Sequence, residues 1–184
     1  MKILFKVESY LEPEDLDAPV TDLDKWPRIT GLSWVMLNDE NKIVRGFRFK
    51  VKHTVGETGF PPEIKQIEEE QGSPAKYVID RFLSDYDSAD FLIAHGLKRN
   101  FGLLAAEAIR YKSRAKTRIE NRFCTIEDVD PILYAGEERT LSALYFSLFG
   151  DYIDDDLEPI KELSVLCKIV EEIVLRGALN SLTA

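Results

Sequence analysis

Glu8, Glu162, the run Asp154-Asp155-Asp156 with Glu158, and His95 are the side chains here whose types could act on a substrate. Several carboxylates together hold a hard divalent cation through their oxygens, and a histidine beside them can take a proton from water. Metal-assisted hydrolysis is the chemistry such a set would serve. Lys6 interrupts it, because it stands two residues before Glu8 in "ILFKVESY" and brings a cation beside that acid. A different chemistry is suggested by "RYKSRAKTRIENR", where Arg110, Lys112, Arg114, Lys116, Arg118 and Arg122 are interrupted only by Glu120. Such a basic run could meet phosphates, or could equally be a solvated helix end favoured by the dipole.

The elements that must position these residues follow from periodicity. "ILFKV" reads as a buried strand, "RITGLSWVML" as a second and "IVRGFRFKVK" as a third, with the polar turn "NDENK" joining the last two as a hairpin. "ADFLIAH" and "NRFCTI" read as two further strands. Helices are expected over "PPEIKQIEEEQG", over "SPAKYVIDRFLSDY" with Ser73 and Pro74 in the cap and first turn, and over "NFGLLAAEAIRYKSRA". Two more fall on "TLSALYFSLFG" and "EPIKELSVLCKIVEEIVLRGAL". This order predicts an α/β fold, a mixed five-stranded sheet flanked by helices, as one domain over residues 1–184.

Composition bounds the class. The 184 residues, 45% hydrophobic, suffice for one good core. No apolar run approaches the roughly 20 residues that span a bilayer, no leader is evident at the start, and two cysteines set no disulfide framework, so a cytoplasmic protein without a membrane is expected. Cys124 and Cys167 sit in apolar settings and read as packing. A net charge of −9 opposes nucleic-acid binding at long range unless cations gather locally. The acids at 154–158 precede a helix, where capping and the dipole would stabilise them without any metal. His95 closes an apolar strand and reads first as hydrogen-bonded structure; His53, at the end of "KVKHT", gives no reason to favour it as a catalyst.

"WPRITGLSWVML", "DFLIAH", "RFCTI" and "TLSALYFSLFG" occur together in an order and spacing that resemble one family. The chain resembles the proofreading-type 3′–5′ exonucleases of the DEDD superfamily, those similar to the epsilon subunit of bacterial DNA polymerase III, with the ribonuclease H-like fold. The resemblance runs from Ile3 to about Val174. It implies Asp-x-Glu on the first strand, an Asp after the fourth strand, and His-x-x-x-x-Asp on the last helix, together holding two divalent cations. On this chain those positions fall on Lys6 and Glu8, on Asn100, and on Leu157 and Glu162. Only Glu8 is kept, and Glu162 is a longer carboxylate.

The resemblance therefore implies a degenerate member, a catalytically inactive homologue acting as a nucleic-acid-binding or protein-interaction module. No cofactor is expected, and Glu8 and Glu162 are only weak metal candidates. The alternative is an active exonuclease using Mg²⁺ or Mn²⁺ at an altered site, with Asp154, Asp155, Asp156 and Glu158 making good the lost ligands. Single-stranded nucleic acid or a replication or repair protein is the partner implied. Lys6 is expected to rest between Glu8 and Glu162 in place of the metal.

Overall fold

A computed structural model describes residues 1–53, 72–115, 118–134, 138–154 and 156–175. Strand β1 (Lys2–Ser9) is central because both of its faces are apolar at the start: Ile3, Phe5 and Val7 enter one core and Leu4 the other. It pairs antiparallel with β2 (Ile29–Leu37) along its length, Lys6 opposite Ser33 and Glu8 opposite Gly31. β3 (Ile43–Lys52) continues the antiparallel meander, with Ser33 opposite Arg48 and Gly31 opposite Lys50. The weak alternation of β2 in sequence has a simple cause: apart from Thr30 every residue is buried, since helices cover both faces.

On the other side β1 runs parallel to β5 (Phe91–Ala94), but only from Lys2 to Leu4, and β5 runs parallel to β6 (Asn121–Cys124). Past Leu4 the two strands diverge, which opens a crevice at their carboxyl ends, the usual place for a site in an α/β sheet. Helices α1 (Ala75–Tyr86) and α2 (Leu97–Arg110) cover one face, α1 packing Phe82 over Phe5 and Trp34. The short α3 (Thr125–Asp128) follows β6, and α4 (Leu141–Phe149) and α5 (Pro159–Leu175) cover the other face over Leu4, Val35 and Ile93.

Among the described residues the sheet has six strands, ordered β4-β3-β2-β1-β5-β6, rather than five. The addition is β4 (Ser73–Pro74), which pairs parallel with Val51 and Lys52 before α1 begins at Ala75. Proline fixes its own φ and pushes the residue before it to extended backbone, so this Ser-Pro pair becomes an edge strand instead of a first helical turn. α2 likewise starts three residues earlier than the apolar periodicity suggests and ends at Arg110. The helix expected over "PPEIKQIEEEQG" and the end of the last helix lie outside the described residues. No helix among the described residues is long and apolar enough to cross a membrane.

The "WPRI" stretch anchors β2 to α2. A Cβ on Gly102 would stand 2.1 Å from the Trp26 ring, so glycine at that helical position is what lets the indole lie on α2. Arg28 donates from Nε to Glu107 Oε1 at 2.7 Å, and the Ile29 amide donates to the same oxygen at 3.1 Å. Tyr111 and His53 complete the cluster around the Arg28 guanidinium. Both members of the Arg28 and Glu107 pair are almost wholly buried, so removing either one alone would cost about 3–5 kcal/mol by stranding a charge.

Candidate functional site

Lys6, His95, Leu157, Glu162 and Asp154 line one cleft of about 440 Å³. Four of them come from three widely separated places in the chain. Lys6 lies on the part of β1 beyond its pairing with β5, His95 follows β5, and Leu157 and Glu162 flank the start of α5. The far wall is the beginning of α4 and the residues before it, Glu138, Arg139 and Thr140, which sequence reasoning did not single out. Thr140 caps α4 by accepting the Ala143 amide at 3.1 Å. Arg139 donates to the Ile126 carbonyl at 2.6 Å. The helix over "TLSALYFSLFG" is expected from the sequence; its start in the cleft is not.

Lys6 Nζ donates to Glu162 Oε1 at 2.9 Å, with both side chains partly buried. A second sheet-to-helix pair lies beside it, Arg48 on β3 with Glu158 at 3.0 Å. Lys6, Ser33 and Arg48 form one row across β1, β2 and β3 on the same face of the sheet, and the acids they meet are four residues apart at the start of α5. These two pairs hold the helix N-terminus down on the sheet. The Ser33 hydroxyl, fully buried in that row, has no hydrogen-bond partner among the described residues.

Glu8 does not join the Lys6 pair. Its Oε2 lies only 2.2 Å from where a Cβ on Gly31 would stand, so its carboxylate occupies the notch left by a glycine directly across the strand pair. The expected arrangement, an ammonium between two carboxylates, thus forms on the Glu162 side alone. Space decides this, because Gly31 opens a berth over β2 that an ordinary strand residue would fill. A glycine inside a strand is the sequence signal for such a close approach.

Asn100 is 2% exposed and all three of its hydrogen bonds go to backbone. Its Oδ1 accepts the Val7 amide at 2.7 Å, and its Nδ2 donates to the carbonyls of His95 at 2.9 Å and Gly96 at 3.0 Å. The amide therefore stitches β1 to the turn after β5 where the strands separate. A carboxylate could accept from Val7 but would face two carbonyl oxygens, so an amide is the group this position requires.

His95 meets Thr125 Oγ1 through Nδ1 at 2.7 Å. Burial, and next the Lys6 ammonium, push its pKa down to about 4, against a smaller opposing pull from the Arg139 backbone. The ring is therefore neutral at pH 7.

The basic run is not one surface. Arg110 turns inward, donating to the carbonyls of Leu23 at 2.6 Å and Trp26 at 2.5 Å and pairing with Glu107. Arg122 lies 4.7 Å over the Phe101 ring and donates to the Ile119 carbonyl. Lys112 and Arg114 are exposed, as is Arg118, which pairs with Glu120; Lys116 lies outside the described residues. Of the acidic run, Asp154 reaches the cleft, Glu158 is engaged by Arg48, and Asp155 lies outside the described residues. Cys124 is buried and its sulfur accepts the Leu97 amide; burial raises the Cys167 thiol to about 12.

This donor set does not fit a pair of divalent cations. An ammonium occupies the first position, the amide at Asn100 has both ends committed to backbone, and leucine supplies no ligand. Among the described residues no group of three or more His, Cys, Asp or Glu is placed to hold a metal.

No protein-family model matches the chain, and no curated protein matches it in sequence. Solved structures do match. They include the zinc-bound form of E. coli exonuclease I with single-stranded DNA, at 10% identity and a TM-score of 0.70, and the same enzyme with a dT13 oligonucleotide, at 11% and 0.68. A moderately thermophilic exonuclease I from Methylocaldum szegediense matches at 13% and 0.63. The matches cover 96%, 96% and 98% of this chain but 41% of each of those chains, so it spans about two fifths of their length. At these identities the likeness is one of fold: the chain has the exonuclease-type, ribonuclease H-like architecture.

Proposed function

We propose that this chain is a degenerate relative of the proofreading-type, epsilon-like 3′–5′ exonucleases that works by binding rather than by hydrolysis. The carrying observation is the Lys6 ammonium seated against Glu162 where the fold's chemistry calls for a divalent cation. Leu157 beside it offers no proton acceptor, and loss of a positioned base alone typically costs 10²–10⁴-fold in rate. His95, neutral and bonded to Thr125, holds the turn after β5. The ligand this reading favours is single-stranded nucleic acid or a protein that handles it, in keeping with the single-stranded DNA held by two of the matching structures.

The test uses a 5′-labelled oligo-dT with Mg²⁺ or Mn²⁺. The strand should stay full length while being retarded on a native gel. Shortening from the 3′ end that Glu8→Gln abolishes would establish the second reading, an active enzyme with an altered metal site. That reading draws on Asp154 and Glu162 lining one cleft.

A further inference from the structure

We propose that the Arg99 guanidinium, at the carboxyl end of β1, is a phosphate-binding site for single-stranded nucleic acid, and that Glu12 on the strap 11–17 occupies it until the strand displaces that acid. The inference rests on the reading that the chain works by binding nucleic acid, and it names one contact and its control. Arg99 is built into the fold: Nη1 donates to the Val7 carbonyl at 3.0 Å and Nη2 to Ser9 Oγ at 2.9 Å, so the last residues of β1 fix its plane. The edge formed by Nε and Nη2 then meets both oxygens of Glu12, at 2.5 Å and 2.7 Å. That two-pronged edge fits a phosphate as it fits a carboxylate.

The two partners are held very differently. The Arg99 side chain is 22% exposed and that of Glu12 74%. Among the described residues, 11–17 makes no backbone-to-backbone hydrogen bond with any strand or helix. Ser9 Oγ reaches the Leu11 carbonyl, and the other polar ties to the body are carboxylates, Glu12 on Arg99 and Asp17 on Lys98. Ion pairs with an exposed member are weak and screened by salt, so a chain of phosphates can compete for the same guanidinium. The place adjoins the cleft. The Arg99 hydrogen bond, and more weakly the charges of Arg99 and Lys6, hold the Glu12 carboxyl below its ordinary value against the effect of burial. Lys98 is the lesser cation, because Glu127 and Asp15 act on it besides Asp17.

Fluorescence anisotropy with labelled oligo-dT tests the proposal on the full chain. Glu12→Gln should tighten binding about two- to fivefold, since the acid's hold is that of one exposed pair. Glu40→Gln removes the same charge from the turn between β2 and β3, at the other end of the sheet, and should leave binding unchanged. Arg99→Lys, which keeps the charge without the fork, should weaken binding and take the Glu12→Gln gain away. On the unaltered protein, oligo-dT should speed cleavage after Glu14 by a glutamate-specific protease, as the strap leaves the body. Equal tightening by Glu12→Gln and Glu40→Gln would overturn the site and leave the binding reading standing. So would a Glu12→Gln protein that melts lower yet binds as the parent does, or cleavage that oligo-dT slows. Polyglutamate or inorganic phosphate competing as strongly as unlabelled oligo-dT at equal anion concentration would overturn a nucleic-acid strand as the occupant. Shortening of oligo-dT with Mg²⁺ by a protein that shows the Glu12→Gln gain would instead overturn the non-hydrolytic reading and leave this site standing.

Discussion

Lys6 on β1 and Glu162 on α5 are 156 residues apart in sequence and 2.9 Å apart in space, and their contact ties the central strand to the last helix across the cleft. The pair is partly buried, so its worth lies between the small value of an exposed ion pair and the several kcal/mol of a buried one. Lys6→Met should destabilise the fold by about 1–3 kcal/mol, read by urea unfolding. Lys6→Asp should be worse, because two carboxylates would then face each other. Stability equal to the parent in both variants would show that the pair holds nothing down.

Gly31→Ala should displace Glu8 from its notch, since the new methyl would stand 2.2 Å from the present carboxylate oxygen. A crystal structure of the variant should show Glu8 in a different rotamer. Glu8→Ala combined with Gly31→Ala should be more stable than Gly31→Ala alone, because the clash is removed.

Asn100→Asp keeps the size of the side chain but sets a carboxylate oxygen against the carbonyls of His95 and Gly96. The cost should be about 1–3 kcal/mol at pH 7, that of a buried polar group losing its partners. It should shrink as pH falls and the acid regains a proton to donate. A variant as stable as the parent at neutral pH would show that the two carbonyl hydrogen bonds carry little.

His95 should make stability depend on mild acid. Its pKa is about 4 in the fold against 6.5 for the free side chain, so the unfolded state binds the extra proton first. The contribution is complete above about pH 6.5 and is lost progressively down to about pH 4, amounting to about 3 kcal/mol. His95→Asn should flatten the Tm profile across that window, and an unaltered slope would assign the acid sensitivity elsewhere.

Among the described residues four members of the basic run are exposed: Arg122, which lies over the Phe101 ring, and three others, Lys112, Arg114 and Arg118. If single-stranded nucleic acid is bound there, reversing all three should reduce affinity and make the log–log salt slope shallower by about 0.7 for each phosphate no longer neutralised. Arg110→Ala should act mainly on stability, since its guanidinium holds the Leu23 and Trp26 carbonyls. Affinity indifferent to the triple reversal would exclude this surface.

Residue order alone was enough to place the sheet's central strands and the helices that flank them. Period-2 and period-3.6 apolar patterns record burial directly, and the Trp26-Pro27-Arg28-Ile29 stretch marks a fixed place in that frame. It also says which chemical groups stand at the positions that the resemblance aligns with metal ligands, because residue type alone says that Lys6 and Leu157 bind no cation. What those groups do instead became visible only in the folded chain. Gly31 draws Glu8 aside, Asn100 closes the gap where β1 leaves β5, and Arg110 turns away from the basic run into the packing of Trp26. Each outcome depends on a partner at least 23 residues distant across a strand pair or a helix face, and local periodicity carries no record of which distant atoms will meet.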